Sequence, residues 1–571
     1  MAETLISPGV LARENDTSFI APAPVEAGAA IIGPAVKGPV EVPTLLTSYG
    51  DYQRTFGTTF TVGSDKKEYL TSLAVKSYFG NGGSTLLMTR VVTGSFSAAS
   101  DTGIARQDVT GSAPFTIQTL GKGAILNSTG SQNSDGSLVN GSTDNIRWEI
   151  ANVDTTRGTF SLLIRRGDDS LKNKIILESF NDLSLDPNSE TYIESVIGTQ
   201  YTTKGTDGSD VFVNTVGEYV NRSKYIRIAS VTEKTLDYIG NDGAVRDANL
   251  TNYLPTAQSG SFESATGVNA TGNFFKDIDG TDTQGLGDAT AYADAISILS
   301  NKDEYVFNII SAPGLIYEFG DHKTQLDSII SLAESRGDAI AVVDVQNHGA
   351  TVSNVTGTAA NINSSYTATY WPWLQMLSAT GKTEWAPASV VIPGVYAFTD
   401  GAAAPWFAPA GLTRGGIGDV IQAERKLTRT QRDTLYAANV NPIATFPGAG
   451  ISVFGQKTLQ KKKSALDRVN VRRLLIDLKK FVGDVSRTLV FEQNTNTTRN
   501  NFLAQVNPYL ESVVQRQGLY AYRVVMDDTN NTADVIDRNQ LIGQIFIQPA
   551  KTVEYIVLDF TIEPTGASFG A

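Results

Sequence analysis

The sequence predicts a multidomain protein of mixed class: a discontinuous α/β core domain, one or two β-rich domains inserted into it as a protrusion, and a C-terminal α+β domain. Three observations carry this. The chain has 571 residues, several times the ~150 residues usual for one domain. A strand-helix alternation that begins at Gly28 stops after Thr93 and resumes near 285, with short β-like pieces between. From about 421 onward, a strongly amphipathic helix is followed by strand-like runs that reach nearly to the last residue.

Taken in order, residues 1–20 read as an arm. Val10-Leu11-Ala12-Arg13-Glu14 is strand-like but isolated by Ser7-Pro8-Gly9 and Ala21-Pro22-Ala23-Pro24, with too few apolar residues for a core. Residues 21–93 open the α/β domain with strand Ala29 to Ile32. A helix bearing Leu70, Leu73, Ala74 and Tyr78 on one face follows, closed by Gly80-Asn81-Gly82-Gly83, and then strand Thr85 to Val92. Residues 94–284 are the β-rich insertion: Asn145 to Ala151, Thr159 to Arg165, Lys174 to Glu178 and Tyr225 to Val231 alternate with Gly/Ser/Asn/Asp loops. Residues 285–420 complete the α/β domain. Asp288 is the expected N-cap of a helix with Tyr292, Ala295, Ile296 and Leu299 inward; strand Tyr305 to Ile310, a helix around Leu326, Ile329, Ile330 and Ala333, and strand Ala339 to Asp344 follow. In 421–571, Val471, Leu474, Leu475, Leu478, Phe481, Val482 and Val485 mark the helix, with Arg472, Arg473, Lys479 and Lys480 opposite. A strand Thr488 to Glu492, a helix kinked near Pro508 and capped near Gly518, and strands ending in Thr552 to Ile562 are expected after it.

Composition narrows function. Hydrophobic residues are 41% and charged residues 18%, which describes a folded chain. Lys plus Arg number 46 against 59 Asp plus Glu, a net charge of −13 that argues against general nucleic-acid binding. With no cysteine, disulfides, thiolate metal sites and cysteine nucleophiles are excluded. Only His322 and His348 could serve as imidazole bases or ligands; they lack metal spacing and read as surface or loop residues. The N-terminus has no signal-peptide pattern, and no apolar run approaches the ~20 residues of a membrane span, so a soluble protein without membrane insertion is expected.

The enzyme-like motifs fail on context. Gly566-Ala567-Ser568-Phe569-Gly570 fits a nucleophile elbow, but only three residues follow the serine, where a helix and the Asp and His of a triad are required. Gly381-Lys382-Thr383 lacks the earlier glycine of a phosphate loop, having Met376 there, and reads as a turn between Trp373 and Trp385. Gly80 to Ser84 precedes a strand instead of following one, so it reads as a helix cap. Ser311-Ala312-Pro313-Gly314 sits where α/β enzymes bind ligands but specifies no chemistry. Asp277, Asp279 and Asp282 miss calcium-loop spacing. No catalytic, cofactor-binding or metal residue is assigned, and no enzyme activity is expected. One charge feature stands out: Glu424 to Lys480 holds 13 Lys/Arg and 4 Asp/Glu, a local +9 that leaves −22 for the remainder. Such polarity suggests a basic face aimed at an acidic partner.

Several motifs carry a family resemblance. Ser7-Pro8-Gly9-Val10, Gly33-Pro34, Gly38-Pro39 and Phe56-Gly57 near the start are joined by Ser364 to Trp373 (SSYTATYWPW), Asn441 to Ile451 (NPIATFPGAGI), Val469-Asn470-Val471-Arg472-Arg473-Leu474 and Val490-Phe491-Glu492. In this order they resemble the tail sheath proteins of contractile-tailed bacteriophages; the pattern departs at Ala449, at Gln456-Lys457, where an Ala-Arg pair is common, and at Gln493. The resemblance implies a virion protein assembled in the host cytoplasm, forming a helical homo-oligomer of six-fold rings around a tail tube. Its contraction would drive the tube through the host envelope for genome delivery, with tube, baseplate and tail terminator proteins as partners and no direct contact with nucleic acid. It also implies exchanged terminal strands, lent to the C-terminal domain of neighbouring subunits. Val10, Leu11, Ala12, Arg13 and Glu14, and Val553, Tyr555, Val557 and Asp559, are the arm candidates, since an unpaired strand finds its hydrogen bonds on another chain. Lys461, Lys462, Lys463, Arg472, Arg473, Lys479 and Lys480 are the candidates for the tube-facing surface. The sheath of a related contractile injection system, a static or adhesive phage protein, and an α/β hydrolase or nucleotide-binding enzyme are the alternative readings.

Overall fold

A computed structural model describes residues 25–108, 111–208, 210–267, 274, 277–287 and 289–554. Its centre is an eight-stranded sheet ordered Gly450–Val453, Asn441–Phe446, Thr367–Trp371, Ile340–Asp344, Ile309–Ile316, Ala29–Gly33, Leu86–Arg90 and Thr44–Leu46. The six inner strands are parallel and the two at the ends antiparallel. Parallel strands covered on both faces read as continuous apolar runs. Here alternate residues feed two cores: Ala29 and Ile31 face helices Leu70–Gly80 and Ile392–Ala402, while Ala30 and Ile32 face Tyr292–Ile298, Gly320–Arg336 and Val352–Ala359.

The sheet draws strands from both sides of segment 94–284. The division expected at 421 is displaced, because Asn441–Phe446 pairs with Thr367–Trp371 and Val420–Ala423 pairs with Leu374–Leu377. The core sheet therefore runs on to Val453. Segment 94–284 builds a separate seven-stranded antiparallel sheet, from Ile176–Ser184 at one edge to Ile226–Val231 at the other, with its own core around Trp148, Phe115 and Phe160. Its hairpin Tyr201–Asp207/Asp210–Val216 leans back on the core domain through Val211 and Val213.

The join between the two is polar and buried. Arg90, at the end of its strand, donates to the carbonyls of Gly38 at 2.8 Å and Lys122 at 2.7 Å and meets no carboxylate among the described residues, and burial pushes its guanidinium down to about 10. Lys37 pairs with Asp144 at 3.3 Å. Lys204 of the hairpin pairs with Glu41 at 2.9 Å and with Asp294.

Several expectations are corrected. Asp288 lies outside the described residues, and the cap position of helix Tyr292–Ile298 is Ala291, which makes no side-chain cap bond. His322 is buried inside helix Gly320–Arg336, where Nδ1 accepts from the Ile316 N–H at 3.2 Å; burial pushes its pKa down to about 4. His348 is exposed, with its ring beside Trp373 and Trp385. Ser311 to Gly314 lie within a strand, and the crevice beyond them is filled: Gln284 Nε2 donates to the Pro313 carbonyl, and the Ser311 hydroxyl donates to the Ser389 carbonyl.

In the C-terminal part, helices Val469–Arg487 and Asn496–Gln515 pack on a core of Leu474, Leu478, Phe502, Val506, Leu510 and Trp406. The second helix runs unbroken through Pro508. Flanking Val506, Leu510 and Val513 are fully buried; together they outweigh the ~3 kcal/mol that an internal proline costs. Thr488 to Glu492 is a run of turns instead of a strand, made by N–H to carbonyl bonds from Leu489 to Ser486 and from Glu492 to Leu489. The two strands that follow are Leu519–Val525 and Gln544–Pro549.

Candidate functional site at the C-terminal domain

Among the described residues no group of three or more His, Cys, Asp or Glu is gathered as metal ligands, and no helix is long and apolar enough to cross a membrane. The features that invite a function are surfaces. The first is the hairpin Leu519–Val525/Gln544–Pro549. Leu519, Tyr522, Val524, Ile545 and Ile547 pack toward the helices, while Tyr520 and Phe546 are exposed. Among the described residues neither strand has a neighbour on its outer edge. A two-stranded sheet with both edges open is a template for strands from another chain.

The second is the anchor of the C-terminal arm. Glu554 accepts from Arg468 at 2.6 Å and 3.0 Å in a bidentate pair, and from the Tyr436 hydroxyl at 3.0 Å. Burial would raise this carboxyl, but the Arg468 guanidinium holds it below its usual value. Gln456 Nε2 donates to the Thr552 hydroxyl at 2.6 Å. Tyr436, Gln456, Thr552 and Glu554 line a groove of about 460 Å³ together with Arg429, Arg432 and Phe454. Between the two anchored residues Val553 is 79% exposed at the edge of the same groove. Of the arm candidates, Val10 to Glu14 and Tyr555, Val557 and Asp559 lie outside the described residues.

The tube-facing candidates split. Lys461, Lys462 and Lys463 are exposed in one loop, and Lys479 is exposed with Nζ donating to the Tyr366 hydroxyl at 2.9 Å, while Lys480 is half-buried beside it. Arg472 and Arg473 are corrected: they are 4% and 3% exposed. Arg472 donates to Ser365 and stacks 3.9 Å from the Tyr366 ring centre; Arg473 donates to Asp400 at 2.5 Å and lies over Tyr396. An arginine following an inward valine at helix spacing looks exposed only if the helix has one buried face. This helix touches the α/β domain with a second.

Arg468, Tyr436 and Glu554 were missed by sequence reasoning. A signal existed at Gln456-Lys457, where the family pattern changes: Gln456 holds the arm, and Lys457 donates to the Tyr436 carbonyl at 2.7 Å. The motifs also meet in space. Arg472 reaches Ser365, and Asn441 bridges the carbonyls of Thr369 and Lys457.

The chain is similar to known proteins in sequence and in fold. Residues 285–459 match the family described as the phage tail sheath protein central domain, and residues 461–563 match the phage tail sheath C-terminal domain. The tail sheath protein of Vibrio phage KVP40 is 38% identical over 229 residues, 40% of this chain and 33% of the relative. That of Enterobacteria phage T4 is 41% identical over 185 residues, 32% of this chain and 28% of the relative. The matched part thus spans about a third of these relatives' length. In three dimensions the sheath tail protein of Listeria innocua is similar with a TM-score of 0.52, covering 92% of this chain and 96% of that one at 10% identity, a likeness of fold.

Proposed function

We propose that this chain, which carries the central and C-terminal domains of phage tail sheath proteins, is the structural subunit of a contractile tail sheath. It polymerises helically around a tail tube, and contraction of the polymer drives the tube through the host envelope. The observation that carries the reading is the pairing of those two domains with a C-terminal hairpin whose outer edges carry no strand among the described residues. Strand lending suits that hairpin. Each backbone hydrogen bond nets ~0.5–1.5 kcal/mol, so a five-residue strand contributes on the order of a few kcal/mol per junction. Contacts of this head-to-tail kind propagate into rings or filaments.

In this mechanism the anchor at Glu554 sets where the C-terminal arm leaves its own subunit, and residues 1–20 provide the second link. Subunits can then rotate and slide while the mesh stays joined, with two lattice packings competing for the polymer. The exposed lysines Lys461, Lys462 and Lys463 are the surface offered to an acidic tube; Arg472 and Arg473 are spent within the subunit.

Negative-stain electron microscopy of the full chain, with and without preformed tubes, tests the proposal. Hollow helical tubes are expected, and deletion of residues 1–20 should abolish them while leaving the circular dichroism spectrum unchanged. Closed oligomers of fixed size would overturn it.

A further inference from the structure

A cleft of about 600 Å³ lies between the insertion sheet and the hairpin Tyr201–Asp207/Asp210–Val216. Nothing in the assembly mechanism uses it. In strand Phe115–Lys122, Phe115 and Ile117 turn into the insertion core while Gln118, Leu120 and Lys122 turn the other way, toward the cleft. Arg227 is the cross-strand partner of Gln118 and shares its face.

The cleft gathers positive charge without neutralising it. The Arg227 guanidinium stacks 4.0 Å from the Tyr201 ring centre and donates to Gln118 Oε1 at 2.5 Å; the Lys122 ammonium sits 5.2 Å from the Phe96 ring centre. Neither meets a carboxylate among the described residues. Glu41, the acid whose charge reaches Lys122, is tied to Lys204 at 2.9 Å, and Lys204 also holds Asp294. Burial lowers the Lys122 ammonium; Glu41 opposes this, and the Arg90 and Arg227 charges add to it. Burial lowers the Arg227 guanidinium too, against the Tyr201 hydroxyl. Gathering cations in a half-buried site is unfavourable unless an anion joins them, and this occurs on a chain of net charge −13.

The remaining lining narrows the class of anion. The Gln200 amide and the Thr202 hydroxyl lie beside the two aromatic rings, a surface for a ring bearing several hydroxyls. The volume falls within the ~300–1,000 Å³ of small-molecule sites. We propose that this cleft binds an acidic saccharide, its carboxylate or phosphate held between Lys122 and Arg227 by charge-assisted hydrogen bonds and its ring seated against Tyr201 and Phe96. The inference is independent of the sheath reading, since it needs only the geometry of the cleft in the intact chain.

Titration calorimetry of the full chain with glucuronate, glucose 6-phosphate, glucose and inorganic phosphate tests it. Both acidic sugars should bind and compete for one site, glucose should bind about tenfold or more weakly, and high salt should weaken the acidic sugars. Arg227→Gln and Lys122→Gln should each weaken glucuronate about tenfold with an unchanged melting temperature. If a variant folds poorly, the competition and salt dependence of the unmodified chain decide alone. No saturable binding of either acidic sugar, or unchanged affinity in both folded variants, would overturn the proposal. Inorganic phosphate binding as tightly as the sugars would reduce the site to a plain anion site and overturn the saccharide.

Discussion

At the scale of single residues, two basic side chains eleven positions apart illustrate how burial separates roles that charge alone cannot. Lys462 is exposed, whereas Arg473 joins helix Val469–Arg487 to helix Ile392–Ala402 through Asp400 and Tyr396. Removing one partner of a buried pair strands the other, so Arg473→Ala should cost about 3 kcal/mol in chemical denaturation. Lys462→Glu should change stability by less than about 0.5 kcal/mol. Asp344 makes a second case. It ends a central strand, buried, with Oδ1 accepting from the Ser389 N–H at 3.1 Å and Oδ2 without a hydrogen-bond partner among the described residues; burial raises its pKa to about 7 against an ordinary 3.8. Between those values the unfolded chain loses the proton and the folded chain keeps it, so this group lowers stability as pH rises from about 4 to 7. Asp344→Asn should raise the melting temperature at pH 8 and leave it nearly unchanged at pH 4, read by calorimetry at both.

At the scale of elements, the turn after helix Val469–Arg487 is the least explained by its own subunit. Val490 is 61% and Phe491 101% exposed, and Phe491 sits at φ +73°, a left-handed backbone costing ~1–2 kcal/mol for such a residue. Strain and lost burial at one position suit a residue used between subunits. Phe491→Asn, which tolerates this backbone, should stabilise the isolated chain by about 1 kcal/mol in denaturant melts while weakening polymerisation. Unchanged polymer yield in sedimentation would place the ring outside the subunit contacts. The neighbouring helix through Pro508 shows the opposite balance, in which packing overrides a local breaker.

At the scale of the whole molecule, the insertion domain is bolted to the core. Arg90 binds carbonyls from both sides of the join, and Lys37 and Lys204 add ion pairs across it. The protrusion should therefore move with the core domain as one body. Arg90→Met would remove the donor to the Lys122 carbonyl, at ~1–3 kcal/mol, while the Gly38 carbonyl would keep its bond from the Lys122 N–H at 3.1 Å. The expected result is faster tryptic cleavage between residues 94 and 124, with the insertion sheet itself still folded by circular dichroism.

Much of this was legible in the residue order, because local patterning reports which side of an element is buried. The strands at Ala29, Leu86 and Ile340, the helices at Leu70, Gly320 and Val469, and the break at 94–284 all follow from periodicity and turn residues. The family motifs were legible too, since they are contiguous. What periodicity could not supply is partnership across the chain. Whether Arg472 and Arg473 face solvent depends on a second domain, the run Thr488 to Glu492 has strand-like residues with no strand to pair with, and the cationic cleft joins Lys122 to Arg227 across more than a hundred positions. Residue order alone carries the long periodic elements, their succession along the chain and the family signature, because each is written within a few turns of chain. Which charges are paired internally, which short runs find a strand partner and which clefts form depend on the folded chain, because burial and pairing are properties of residues brought together from afar.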